Sequence, residues 1–166
     1  MNAKPKKFLN ISTDKAVESS TLYGATKLLS EKIVSWAGIH LNPPTKFATA
    51  RFGNVIETRG NVFEIWNEEK KGNKQLSITD PEMKRYFFHI EDATEFILNC
   101  LPKINNGEIF IPKMKLEKIG KLADSISKKQ KIIGIRKGEK IQEELMTKAE
   151  RKKAIETKEM WVIKQE

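Results

Sequence analysis

The sequence predicts an α/β fold built on a mainly parallel sheet, and three observations carry that prediction. Short apolar runs alternate with helical patterns of 10 to 15 residues, as in "KKFLNIST" followed by "STLYGATKLLSEKIVSWAG". Gly and Pro punctuate those segments, and strands spaced by helices are the signature of parallel pairing. The length of 166 residues with 39% hydrophobic content suits one soluble domain with an ordinary core.

Residues 6–13 read as a buried strand, and residues 20–38 as a helix with apolar positions Leu22, Ala25, Leu28, Leu29, Ile33 and Trp36, closed by Gly38. The pair Pro43 and Pro44 breaks the chain. "TKFATARFG" reads as a second strand, "NVFEIWNEEKKG" as a helix, "KQLSI" as a short strand and "IEDATEFILNCL" as an amphipathic helix ended by Pro102. "GEIFIP" is a strand, "LEKIGKLADSISKK" a helix, "KIIGIR" a strand, "EKIQEELM" a helix and "EMWVIK" a closing strand. Repeats, low-complexity segments and an interdomain linker are absent from the sequence.

No run approaches the roughly 20 apolar residues of a transmembrane helix, and the basic start "MNAKPKKFLNIS" lacks an apolar signal core, so the expected location is the cytoplasm. A net charge of +9 raises the possibility of nucleic-acid binding, but only five of the 31 basic residues are Arg and the lysines are scattered, which favours a solvated surface without nucleic acid. Cys100, the single cysteine, sits in the apolar stretch "FILNCLP" and reads as a buried thiol. His40 and His89 read as surface or hydrogen-bonded side chains, and no metal site is expected.

The stretch "NISTDKAVESSTLYGATK" concentrates groups that move protons. On a helix, Tyr23 and Lys27 share a face, with Leu22, Ala25 and Leu29 expected to turn towards the sheet. A phenol with a pKa near 10 needs about 4 kcal/mol to act as a base near pH 7, and one cation about 4 Å away at an effective dielectric of 20 supplies roughly that. Lys27 can therefore turn Tyr23 into a general acid/base for a sugar hydroxyl. Ser12 or Thr13, at the C-terminal end of the preceding strand, can donate to the same oxygen, and Asp14 with Lys15 adds a second acid/base pair.

Five ordered motifs, "ISTDKAV…LYGATKLLSEK", "ARFGNVIETRGNV", "ITDPEMKRYFF", "GEIFIPKM" and "GIRKGEK", resemble the C-terminal part of extended short-chain dehydrogenase/reductases. More narrowly, the chain resembles the UDP-N-acetylglucosamine 4,6-dehydratases, some also 5-epimerases, of bacterial polysaccharide and flagellin-glycan biosynthesis, including the CapD type. The resemblance implies an incomplete Rossmann-like sheet. Residues 1–56 would be the C-terminal portion of its core with the Y-x-x-x-K helix, and 57–166 mainly the nucleotide-sugar region, in one continuous unit. It implies NADP as cofactor, Tyr23 as base for the C4 hydroxyl, Lys27 on the nicotinamide ribose, Thr13 orienting the sugar, and Asp14 with Lys15 serving elimination and C5 reprotonation.

Arg grips phosphate oxygens bidentately, so each Arg in a Lys-rich chain is informative. Arg85 and Arg136 are expected on the diphosphate or ribose, Glu139 on a ribose hydroxyl, and Asn54 and Arg59 towards the nucleotide sugar. Arg51 and Arg151 are expected to be structural or solvated. Glu57 departs from the family's Gly, Lys137 from its Pro and Gln142 from a frequent His, and "ESST" replaces a loop with Pro and Asn. A carboxylate at 57 would repel a diphosphate.

The sequence has no G-x-x-G-x-x-G turn, so the cofactor half is expected to lie outside it. The strand ending at Thr13 would then be a bare edge that needs a partner, either a separately encoded N-terminal half or a second copy meeting it through the Leu22 to Trp36 helix. An inactive remnant and a non-catalytic UDP-sugar binder remain alternatives to the enzyme.

Overall fold

A computed structural model describes residues 5–41 and 44–165, so Pro43 of the expected break lies outside the described residues. The strands are β1 (Lys7–Thr13), β2 (Lys46–Phe52), β3 (Asn54–Val55), β4 (Leu76–Ile78), β5 (Lys84–Phe88), β6 (Glu108–Pro112), β7 (Lys115–Lys118), β8 (Gln130–Ile132), β9 (Ile155–Glu156) and β10 (Met160–Ile163). The helices are α1 (Leu22–His40), α2 (Val62–Lys71), α3 (Ile90–Cys100), α4 (Ile119–Ile126) and α5 (Lys148–Lys153).

The chain divides into two compact units, one of residues 1–52, 94–113 and 144–166, the other of 53–93 and 114–143. The chain crosses between them after residues 52, 93, 113 and 143, so both units are assembled from separate segments.

The first unit holds a five-stranded sheet in the order β1-β2-β6-β10-β9. β1, β2 and β6 run parallel, whereas β10 is antiparallel to both β6 and β9. Every residue of β6 and the last five of β2 are buried, as befits central strands covered on both faces. β1 is an edge strand among the described residues, with Phe8 and Ile11 exposed, as expected for a sheet that ends there. The thiol of Cys100 is fully buried, and burial pushes its pKa up to about 12, in line with the expectation of an inert cysteine.

α1 runs past its expected end. Thr21 caps its start by accepting from the Gly24 N–H at 3.1 Å. Gly38 continues the helix because a Cβ there would stand 3.1 to 3.2 Å from Asn106, Gly107 and Phe47, so it is a packing glycine rather than a cap. The helix also faces the other way from the expectation. Leu22, Ala25 and Leu29 are exposed, and the buried positions are Gly24, Glu31, Val34, Ser35 and Gly38.

The second unit contains the sheets β3-β5-β7 and β4-β8, packed with α2 and α4. Its core is Trp66, Leu76, Ile78, Met83, Ile119 and Ala123, and the Trp66 indole donates to the Ser77 carbonyl at 2.9 Å. Two expected helices are corrected here. Residues 115–118 form β7, antiparallel to β5 with Arg85 opposite Glu117, so α4 begins only at Ile119. Residues 139–146 are not helical, because the backbone groups a helix would use are taken by β5: the Lys84 N–H donates to the Ile141 carbonyl and Lys84 bridges Gln142.

Candidate active site

The C-terminal end of β1 turns into a single 3₁₀ turn, Asp14–Ala16, capped by Thr13. The Thr13 hydroxyl accepts from the Lys15 N–H at 3.4 Å and donates to Asp14 Oδ1 at 2.9 Å. The same oxygen receives Lys15 Nζ at 3.0 Å. Asp14 is wholly buried, and its other oxygen, Oδ2, has no hydrogen-bond partner among the described residues; nor has the buried Ser12 hydroxyl. A buried carboxylate is tolerated when paired and hydrogen-bonded. Oδ1 meets that condition and Oδ2 is left with acceptor capacity to spare.

Gly24 seats α1 on this turn. A Cβ at that position would lie 2.1 Å from the Lys15 carbonyl oxygen, a distance that excludes any side chain. Tyr23, the residue before it, is more than half exposed, and Lys27 Nζ donates to the Ile11 carbonyl of β1 at 2.9 Å. The first unit therefore carries all five expected catalytic residues on the end of β1 and the first turns of α1. Thr13, Asp14 and Lys15 touch directly, whereas the Lys27 ammonium is hydrogen-bonded to β1. The Tyr23 phenol is exposed one helical turn before the lysine that is tied to β1.

The second unit carries the five residues expected to bind substrate. Asn54 lies on β3 opposite Phe87 of β5. The glycine before it is required, since a Cβ on Gly53 would meet Tyr86 at 2.6 Å. Arg85, on β5, is buried, and its guanidinium donates to the carbonyls of Lys84 (2.8 Å), Ile141 (3.2 Å) and Lys140 (2.8 Å). Arg136 and Glu139 form one exposed turn in which the Glu139 carboxylate accepts from the Arg136 N–H at 2.9 Å. The Gly138 φ of 86° closes that turn. Arg59 lies on a separate exposed loop.

Glu57 has a φ of 66°, the left-handed region that favours the glycine of the resembling family. Its carboxylate stands 4.0 Å from His89 Nδ1, with Glu91 close by. His40 is exposed beside Trp36, their ring centroids 5.8 Å apart.

Sequence reasoning passed over Glu31 and Glu150. Both grip Arg51, which is only 2% exposed and so is structural rather than solvated. Burial works against the Arg51 charge, but the two carboxylates outweigh it and raise its pKa. A readable signal existed: Glu31 falls midway between two glycines, in a G-x₆-E-x₆-G spacing along one helix face.

Comparison with known proteins places these motifs. The family described as "Polysaccharide biosynthesis protein" matches residues 1–165. A UDP-N-acetylglucosamine 4,6-dehydratase (inverting) of Campylobacter jejuni is 43% identical over 142 residues, covering 83% of this chain and 42% of that enzyme. The X-ray structure of Pen from Bacillus thuringiensis superposes with a TM-score of 0.90 at 32% identity, covering 96% of this chain and 53% of that one. DesIV, a dTDP-glucose 4,6-dehydratase from Streptomyces venezuelae solved with NAD and TYD bound, shares the fold with a TM-score of 0.75 at 16% identity, over 87% of this chain and 53% of its own. The chain thus spans about half or less of the length of these proteins, and its α/β fold is the Rossmann-like fold of short-chain dehydrogenase/reductases.

Proposed function

We propose that this chain, which belongs to the polysaccharide biosynthesis protein family, is the catalytic and substrate-binding portion of a UDP-N-acetylglucosamine 4,6-dehydratase that also acts as a 5-epimerase. The observation that carries the reading is the Thr13–Asp14–Lys15 cluster, with one buried carboxylate oxygen bare and Tyr23 next to the glycine that seats on it.

In this reading Tyr23 is the base that takes the C4 hydroxyl proton, and Lys27 holds the cofactor ribose. Tyr23 and Lys27 would hold NADP, which when bound would supply the acceptor for the C4 hydride and its return to C6. The resulting C4 ketone acidifies the C5 proton. The Asp14–Lys15 pair, joined at 3.0 Å, supplies both the base for that proton and the acid for the departing C6 hydroxyl. Thr13 orients the sugar, Arg85 and Arg136 serve the diphosphate or ribose, Glu139 a ribose hydroxyl, and Asn54 and Arg59 the nucleotide sugar.

Exposure supports an assignment of the partner surfaces. We assign the β1 edge to a cofactor-binding half, which supplies the pyrophosphate site, and the exposed Leu22, Leu29, Ile33 and Trp36 of α1 to a second copy of the chain. The site of action is the cytoplasm by family resemblance, and among the described residues no helix is long and apolar enough to cross a membrane.

The test is to combine the chain with the cofactor-binding half of a relative, NADP and UDP-N-acetylglucosamine, and to follow the sugar by NMR. A 4-keto-6-deoxy product that disappears with Tyr23→Phe is the expected result. Saturable UDP binding without product would assign the chain to the non-catalytic binders, and neither binding nor turnover would mark it as an inactive remnant.

A further inference from the structure

Helix α1 meets its sheet along a stripe that hydrophobicity does not explain. The buried positions Gly24, Glu31 and Gly38 recur every seven residues, the spacing that keeps one helix face in line. At both ends the backbone itself is the contact surface, since a Cβ on Gly24 or Gly38 would collide with or crowd its neighbours. Between them stands a carboxylate. Large apolar side chains do little to fix the helix, because Leu22, Leu29, Ile33 and Trp36 are all exposed and only Val34 among the bulky residues is buried.

The carboxylate of Glu31 is held through both of its oxygens by one edge of a guanidinium. Arg51 on β2 donates Nε–H to Oε1 at 2.9 Å and Nη2–H to Oε2 at 2.6 Å. Its remaining hydrogens go to Glu150 through Nη1 (3.0 Å) and Nη2 (2.9 Å) and to the Leu145 carbonyl at 3.1 Å. These contacts occupy all five N–H donors of the side chain. Glu150 is fixed in turn, its carboxylate accepting from the Thr147 N–H at 2.8 Å and its own N–H donating to the Thr147 hydroxyl at 3.0 Å. The residue that pins α1 is therefore itself set by β2 and by the capping box that starts α5.

Tyr23, Lys27 and Glu31 follow one another at four-residue intervals along α1. Any rotation that broke the Glu31 fork would swing Tyr23 and Lys27 through the same angle. We infer that the Glu31–Arg51–Glu150 tie sets the orientation of α1 and makes these three the positioning residues for Tyr23 and Lys27. The inference rests on the roles of Tyr23 and Lys27 proposed above. Net stability alone does not account for such a tie, because a buried ion pair is often no more stabilising than an apolar replacement of the same volume.

The test uses the full chain and Arg51→Lys, which keeps the charge and loses both forks. Backbone amide exchange in α1 from Tyr23 to Glu31 is expected to accelerate about tenfold while β6 keeps its wild-type rates. In the chain combined with a cofactor-binding half, kcat is expected to fall about a hundredfold with KM unchanged, the signature of misplaced catalytic groups. Should Arg51→Lys fail to fold, Glu150→Gln, which leaves the Glu31 fork intact, carries the same test with a smaller shift in the same direction. Unchanged α1 exchange, equal acceleration throughout the first unit, or kcat and KM moving together would overturn the inference. A wild-type assembly without turnover would sink the catalytic reading alone, because the exchange rates still decide whether the tie holds α1.

Discussion

Arg51 and Arg85 are both buried on strands, one in each compact unit, and their surroundings differ in kind. Arg51 faces two carboxylates, so its site carries one negative charge in excess. Arg85 faces backbone carbonyls and the Met83 thioether, and among the described residues it forms no ion pair. A guanidinium neutralised by its own protein has no field left for a ligand. One held only by carbonyl dipoles keeps a net positive charge, which is what a diphosphate requires. The same residue type on the same kind of element thus marks architecture in the first unit, and in the second it is the residue we propose for the diphosphate.

That contrast breaks most visibly at Arg51. Arg51→Met leaves Glu31 and Glu150 without their cation and is expected to cost about 3 to 5 kcal/mol, measured by urea unfolding. Arg85→Met is expected to cost less, about 1 to 3 kcal/mol, because it strands neutral carbonyls rather than charges. It should also weaken UDP binding at least tenfold in a calorimetric titration, an effect absent from an Arg51 variant that remains folded.

The acid limb of stability sharpens the comparison further. Burial works against the Glu150 charge, but Arg51 and the Thr147 N–H outweigh it and hold the carboxyl below the usual carboxylate range. A group with a lowered folded pKa contributes stability above its unfolded pKa and loses it as pH falls through the folded value. The wild-type chain should therefore lose stability below the ordinary carboxylate range more steeply than Glu150→Gln does, as followed by thermal melts across acid pH. The smallest effect belongs to Cys100. With its pKa near 12, native chain at pH 8 should react with a thiol reagent only at the rate of transient opening, and rapidly once denatured.

Much of this organisation is legible in the sequence because it obeys hydrophobic periodicity. β1, β2, β6, α2 and α3 fall where apolar spacing puts them, and the Thr13–Asp14–Lys15 turn follows directly from the strand ending at Thr13. The misses have specific physical causes. β5 and β7 hide because the charged Lys84 and Arg85 show no strand-like alternation and Glu117 falls in a helical pattern, until cross-strand pairing sets Arg85 opposite Glu117. The helical pattern of residues 139–146 loses to Lys84 and Arg85, which claim the carbonyls of Lys140 and Ile141. Periodicity turns α1 the wrong way because close backbone approach through Gly24 and Gly38 leaves no trace in hydropathy. Glu31 escapes notice for a related reason, since a lone carboxylate on a helix ordinarily faces water and its partner Arg51 lies 20 positions further along the chain, with Arg51's second carboxylate, Glu150, another 99 beyond.

The most direct measurement of the central claim is turnover in deuterated water by the chain combined with a cofactor-binding half, NADP and UDP-N-acetylglucosamine. The account predicts a 4-keto-6-deoxy sugar carrying solvent deuterium at C5, with its formation abolished by Tyr23→Phe. Saturating UDP binding with the sugar unchanged, or product that still forms in the Tyr23→Phe chain, would contradict it.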